Sequence, residues 1–151
     1  MGAHVGRDVL VEFAIAAEDA VQASLVYQNL GMMRGKSMKT TWDKVDTTAD
    51  DSPDFQKTSL VTFKDCEFSG DGVSYDDAVF NQETLEAHVV SPGAATANQP
   101  KVWFRLTYPS GKIYEGPFIV SEWSNDSPYA DAATWSISAA SNGAVVMTPG
   151  A

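Results

Sequence analysis

Residues 133–139 alternate without a break: Ala133, Trp135, Ile137 and Ala139 fall on one side, Thr134, Ser136 and Ser138 on the other. A period of two puts successive side chains on opposite faces of a strand, so this segment predicts a strand with one face in a core and one in water. The pattern returns in short runs closed by turn residues. Val9, Val11, Phe13 and Ile15 oppose Asp8, Leu10, Glu12 and Ala14. Residues 102–108 and 113–123 flank Pro109-Ser110-Gly111-Lys112, a hairpin signal. Gly116-Pro117 in the second arm predicts a bulge or an edge, because proline donates nothing to a ladder. Ser141-Asn142-Gly143 predicts another hairpin turn before a closing strand at 144–147. Strands are also expected at 21–30 and 58–68. The latter has Leu60, Val61, Phe63 and Phe68 as core candidates and Ser69-Gly70-Asp71-Gly72 as its turn. About seven or eight short strands in 151 residues imply a mainly β fold, a sandwich or small barrel. It is expected as one domain over 8–149 behind a flexible start at 1–7, with Trp135, Ile137, Phe104, Leu106 and Leu85 in its core.

Two segments break the pattern. Residues 32–42 read as extended but carry little apolar surface. Arg34, Lys36, Met38, Thr40 and Trp42 line one side, with Ser37, Lys39, Thr41 and Asp43 on the other. Such a strand does not belong in a monomer's core; it is a solvated ribbon or is completed by a neighbouring subunit. Residues 43–56 follow as a long loop rich in Asp, Ser, Thr and Pro, which favour turns over ladders. One helix is expected at about 76–90. Ser74-Tyr75-Asp76-Asp77 resembles a capping box, Ala78, Val79, Leu85, Val89 and Val90 form its apolar stripe, and Ser91-Pro92-Gly93 stops it. Phe80 and Ala87 fall on its other side. Residues 91–100 read as a linker.

Twenty Asp and Glu against ten Lys and Arg give a net charge of -10, which argues against nucleic-acid binding, since phosphate contacts need a basic surface. One cysteine, Cys66, rules out an internal disulfide framework. No apolar stretch approaches the ~20 residues of a membrane helix, and the N-terminus has no apolar signal core, so folding in a cytoplasm is expected.

Catalytic chemistry finds little purchase. A Ser-His-Asp or Cys-His site needs a positioned imidazole, and only His4 and His88 exist. No Cys/His cluster has zinc spacing, and Asp71, Asp76 and Asp77 lack the spacing of a calcium loop. Glu115 and Glu122, seven apart on one strand, fall on opposite faces unless a bulge intervenes. Neither a cofactor nor a metal is expected. Trp42, Trp103 and Trp123 read as partly exposed, with Trp103 on an outer face, which fits a protein interface about as well as a sugar platform.

The order of features then matters: an early strand pair, the loop around Val45-Asp46-Thr47-Thr48-Ala49-Asp50-Asp51-Ser52, a strand ending Glu67-Phe68-Ser69-Gly70-Asp71-Gly72, the helix, the 102–123 hairpin, and Thr134-Trp135-Ser136-Ile137-Ser138-Ala139-Ala140-Ser141-Asn142-Gly143 with a short final strand. Over about 8–149 this resembles the major tail tube proteins of long, non-contractile-tailed phages. The resemblance implies hexameric rings whose sheets join into an inter-subunit β-barrel, stacked into a conduit through which DNA passes without specific binding. It implies an inter-ring contact loop of Asp43, Asp46, Thr47, Thr48, Asp50, Asp51, Asp54 and Phe55. The strand with Arg34, Lys36, Met38, Lys39, Thr40, Thr41 and Trp42 would be the lumen or inter-subunit element. Implied partners are further copies of the chain and the tape-measure, terminator and tip proteins of a virion tail built in the host cytoplasm. Two other readings stand beside it: a small β-sandwich binding a sugar or a protein receptor, and the tube subunit of a contractile or secretion machine.

Overall fold

The computed structural model describes residues 3, 5–49, 56–57, 59–75 and 77–150. Its strands are β1 (Leu10–Ala14), β2 (Gln28–Asn29), β3 (Met33–Asp46), β4 (Ser59–Val73), β5 (Lys101–Thr107), β6 (Ile113–Asp126), β7 (Thr134–Ser141) and β8 (Val146–Thr148), with one helix, α1 (Gln82–Val90). The strands form one antiparallel sheet in the order β2-β1-β5-β6-β7-β4-β3, with β8 also on β6. β2 and β3 stand at opposite ends of that order, yet only three residues join them. Three residues span at most about 10 Å, so the sheet must curl until its ends approach. The curl brings Phe68 of β4 against Phe104 of β5, ring centroids 4.8 Å apart, although β6 and β7 lie between them in the sheet. Phe13, Phe118, Leu106, Val102, Trp135 and Ile137 fill the space between the facing halves, and Leu85 of α1 closes one end. Each such buried side chain contributes about 1.5–3 kcal/mol.

Several expectations are corrected. Residues 21–30 are not one strand: Gln22–Ser24 is a 3-10 turn and only Gln28–Asn29 pairs. Val21 and Val26 are exposed, so no apolar face held an extended run in place. Ser69-Gly70-Asp71-Gly72 is not a turn but part of β4, paired to both β3 and β7 near the strand's C-terminal end. Its glycines mark close backbone approach, for a Cβ on Gly72 would stand 2.3 Å from the Met32 carbonyl oxygen.

The 141–143 segment is not a hairpin turn either. β7 and β8 both pair with β6, one after the other, as a single line broken at 142–145. Gly116 lies under that break, where a Cβ would meet the Val145 Cα at 2.7 Å. Pro117 keeps regular register with Trp103; its carbonyl accepts from Asn142 N–H, so its missing donor also faces the break and costs no ladder bond. The β6 irregularity falls instead between Val120 and Glu122.

α1 starts at Gln82, after a 3-10 turn at Ala78–Phe80, with Asn81 in a left-handed conformation and no side-chain cap. The Ser74–Asp77 capping box is not formed. The buried helix face is Gln82, Leu85 and His88, while Val79 and Val90 of the expected stripe are exposed. Gln82 explains the difference: its side-chain amide donates to the Gly31 and Val73 carbonyls and accepts from Tyr75 N–H, tying three chain segments to the helix start. Trp103 is buried, not on an outer face, because the 15–27 segment folds over it and Ala17 O accepts its indole N–H at 2.9 Å.

Candidate assembly interface

β6 has 14 residues and its hairpin partner β5 has seven. The β5 ladder ends at Lys101↔Ile119, and Val120 N–H reaches Pro100 O. Residues 121–126 then overhang, paired on one side only, to β7. At the far end of the order, β3 pairs with β4 alone. The four-strand run β6-β7-β4-β3 therefore has a free ladder along each side among the described residues. Its strands alternate in direction, so β6 runs opposite to β3. The overhang had a sequence signal, the unequal arms of the hairpin with polar Ser121, Glu122, Ser124, Asn125 and Asp126 at its end, which the hairpin reading to 123 passed over.

The face of this run away from the core follows from register. Trp135, Ile137 and Ala139 are buried, so their neighbours in sequence face outward. Reading across gives Gly35, Ser37 and Lys39 on β3, Asp71, Ser69 and Glu67 on β4, Ser136, Ser138 and Ala140 on β7, and Ser124 and Glu122 on β6, with Asp126 opposite Thr134. Four carboxylates stand against one lysine among small hydroxyl side chains. Asp71 is fixed in place by the Gly35 N–H at 2.9 Å.

Side chains of the polar strand split between its faces. Ser37, Lys39 and Thr41 join the polar face; Lys36, Met38, Thr40 and Trp42 fall on the core side. Lys36 is thus a structural tie rather than a polar-face residue. Its Nζ donates to Val9 O at 2.6 Å and Gly6 O at 3.1 Å, and burial pulls its pKa below the ordinary lysine value. Arg34 lies at a register shift and is exposed.

Past the last β7 partner, Glu67↔Ala140, β3 and β4 continue as a two-stranded ribbon. Asp43 and Asp46 lie in β3 and not in a loop, because cross-strand pairing continues to Asp46↔Ser59. Asp46 closes the strand by accepting Thr48 N–H at 2.9 Å; hydrogen bonding from the Thr48 side chain first, and from its backbone second, lowers the Asp46 carboxyl pKa, and Thr47 follows β3 directly. Asp50, Asp51, Asp54 and Phe55 lie outside the described residues. Leu60, Val61 and Phe63 are not core: they are 65%, 54% and 76% exposed, and Trp42 and Val45 50% each, because the rest of the sheet ends before the ribbon does.

The side chains expected in the core, Trp135, Ile137, Phe104, Leu106 and Leu85, are all buried. Among the described residues, acid–base or nucleophilic groups are not brought together. His88 is buried and its Nε2–H donates to Lys101 O at 2.9 Å; Cys66 is buried against Thr40. Glu115 is held by Tyr27 and Gln22 on the outer side of the sheet, while Glu122 is exposed on the polar face. Among the described residues no three His, Cys, Asp or Glu gather around a metal-sized site, and no helix is long and apolar enough to cross a membrane.

The sequence profile of the phage tail tube proteins matches residues 3–147. The chain belongs to the phage tail tube protein family. It is thus a structural subunit of a phage tail tube, with the mainly β fold of that family. Comparison with curated proteins by sequence gives no match. Among solved structures, the tail of an empty gene transfer agent particle, refined with C6 symmetry, aligns at TM-score 0.71 and 20% identity over 97% of this chain and 100% of that one. The SPP1 tail tube aligns at 0.64 and 14%, over 97% and 79%. The sheath–tube complex of the PVC extracellular contractile injection system aligns at 0.59 and 10%, over 95% and 90%.

Proposed function

We propose that this protein builds the tube of a virion tail by pairing the free edge of β3 with the free 121–126 edge of β6 in the next copy. The observation that carries the reading is the pair of unpaired ladders bracketing β6-β7-β4-β3. Because β3 and β6 run in opposite directions, a neighbouring β3 continues the antiparallel alternation, and repetition around a ring closes the sheet and removes both edges. Six-fold closure is supported by the C6 symmetry of the similar gene transfer agent tail. The Ser37–Lys39 face then lines the lumen. Its excess of carboxylates repels phosphate and leaves passing DNA unbound, an effect that reaches about 8 Å at physiological salt. Rings stack through the ribbon and the 43–56 segment. Tape-measure, terminator and tip proteins, and assembly in the host cytoplasm, belong to the same reading.

The test uses Lys39→Pro and Thr40→Pro. Successive N–H groups of a strand point to opposite sides, so one substitution removes a bond to β4 and the other only the outward donor. The variant that melts close to wild type is the outward one. It is expected to stay unassembled under negative-stain microscopy. Tubes of normal length from that variant exclude edge pairing.

A further inference from the structure

Backbone pairing alone leaves the register between two polar edges open, because every row of a free ladder offers the same N–H and C=O groups. A side-chain contact has to choose one register, and the two free edges carry opposite charge. Residues 20–42, which include the start of β3, hold Arg34, Lys36 and Lys39 and no Asp or Glu; the acids of β3, Asp43 and Asp46, stand at its other end. Residues 74–100 and 113–134, which include α1 and the β6 overhang, hold Glu83, Glu86, Glu122 and Asp126 among their acids and no lysine or arginine.

Of the three cations only Arg34 is uncommitted. Lys36 is spent on the Val9 and Gly6 carbonyls, and Lys39 stands opposite Glu67. Arg34 is exposed and makes no ion pair among the described residues. It occupies the register shift between Met33↔Gly72 and Gly35↔Asp71, so it has no partner on β4, and Asp71 is taken by the Gly35 N–H at 2.9 Å. An extra residue of this kind bends the edge and re-aims its side chain.

The β6 edge carries a matching socket. A cleft of about 260 Å³ lies between α1 and the overhang, with Tyr75, Glu83, Glu86, Trp123 and Asn125 in its wall. Trp123 is anchored by stacking on Trp135 at 5.0 Å; its indole N–H donates to Asn125 Oδ1 at 3.3 Å, and the Asn125 amide donates to Glu86. Neither Glu83 nor Glu86 meets a cation among the described residues. Two carboxylates beside an indole suit a guanidinium better than an ammonium, since its planar fork takes carboxylate oxygens and stacks on an aromatic face.

Topology brings the two together. Met33, Gly72, Trp135 and Asn125 stand in one row across the four strands. A neighbouring β3 that continues the antiparallel alternation therefore arrives with its start toward the far end of the overhang, where the cleft lies. Barrel closure needs a stagger, and seating Arg34 fixes which. We infer that the Glu83–Glu86–Trp123 cleft receives Arg34 of the next copy in the same ring and so sets the register of the β3–β6 edge. The inference rests on the edge-pairing reading above and adds the side chains that select one register among several.

Charge reversal tests it. Arg34→Glu, and separately Glu83→Lys/Glu86→Lys, should each raise the protein concentration needed for rings roughly tenfold, the scale of losing one charge-assisted contact per interface. Circular dichroism checks folding, and Glu83→Lys alone, at an exposed position, replaces the double variant if that one does not fold. Mixed in equal amounts, the two variants should recover wild-type assembly by sedimentation and negative-stain microscopy, because around an alternating ring every reversed cation meets reversed acids and every native pair stays native. Glu122→Lys, on the polar face of the same overhang, should not rescue Arg34→Glu in such a mixture. Either variant assembling at the wild-type concentration, a mixture no better than its components, or equal rescue by Glu122→Lys overturns the inference and leaves edge pairing standing. An outward proline variant of β3 that still builds tubes overturns the edge pairing beneath it, and the inference with it.

Discussion

Replacing Trp135 by alanine probes the side chain on which both faces of the β6-β7-β4-β3 run depend. Trp135 is 2% exposed and stacks on Trp123, with centroids 5.0 Å apart and planes within 6°. Its indole N–H donates to Val73 O at 3.3 Å, and its strand partner is Gly72, which offers no side chain to fill a void. Trp→Ala in such a core costs about 3–5 kcal/mol, cavity included. Within that total, the aromatic pair accounts for roughly 0.5–1.5 kcal/mol and the hydrogen bond for about 1. Against a total stability of about 5–15 kcal/mol this is about a fifth or more. At about 2–4 °C per kcal/mol for a domain of this size, thermal unfolding followed by circular dichroism should shift down by roughly 6–20 °C. Trp123→Ala should shift it by less than half as much, because Trp123 is only half-buried. A Trp135→Ala melting temperature within about 2 °C of wild type would refute the packing argument.

Three further outcomes follow. Tyr27 is held protonated well above the ordinary tyrosine pKa of 10.0, first by burial and then by its hydrogen bond to Glu115. The folded chain keeps a proton the unfolded chain loses, so this contribution is complete below pH 10 and fades above it. Denaturation against pH should show an alkaline slope that Tyr27→Phe reduces, and an unchanged slope would count against it. Ala97 sits at φ 54°, in the left-handed region, so Ala97→Gly should stabilise by about 0.5–1 kcal/mol in urea titration, and a destabilised variant would show that the strain is absent. Finally, Glu67→Lys/Glu122→Lys inverts most of the charge on the proposed lumen face. Tubes should still form, but particles carrying them should deliver DNA more slowly, and unaltered delivery would assign those acids to solubility alone.

How much of this was legible in the sequence depended on whether the information was local. The 133–139 strand and the Pro109–Lys112 hairpin were legible because strict alternation and turn chemistry act within a few residues. Trp135, Ile137, Phe104 and Leu106 followed from them. The hairpin of β3 and β4 was half legible. The odd polarity of 32–42 showed that the strand was no ordinary core element, but not that Asp43–Asp46 stay in the ladder or that Leu60, Val61 and Phe63 stand in water. Burial there depends on where other strands stop, at Glu67↔Ala140, which no property of 58–68 encodes. Gly70 and Gly72 misled for a related reason, since a glycine admits either a turn or a close neighbour and only the neighbour's position decides. Gln82 was missed because a polar residue at a helix start reads as solvent-facing until the carbonyls of Gly31 and Val73 are seen to converge on it.

The two proposed association surfaces differ in what they ask of the sequence. Edge pairing as proposed between β3 and the β6 overhang would use backbone N–H and C=O groups, which every residue but proline carries, so side chains along those edges could change while the contact persisted. The polar face is nearly as permissive, asking for small or acidic residues in a register that Ser37, Ser69 and Ser138 already satisfy. A contact of that kind would tolerate the sequence divergence between this chain and the folds it resembles, at TM-scores of 0.59–0.71 and identities of 10–20%. The stacking contact is different. It would rely on particular side chains, among them the exposed Leu60 and Phe63 of the ribbon, and these and the surface that receives them would have to change together. A tube built this way keeps a generic wall and a private end-to-end junction. Copies of a distant relative would then pair along the wall more readily than they would stack on this chain's rings.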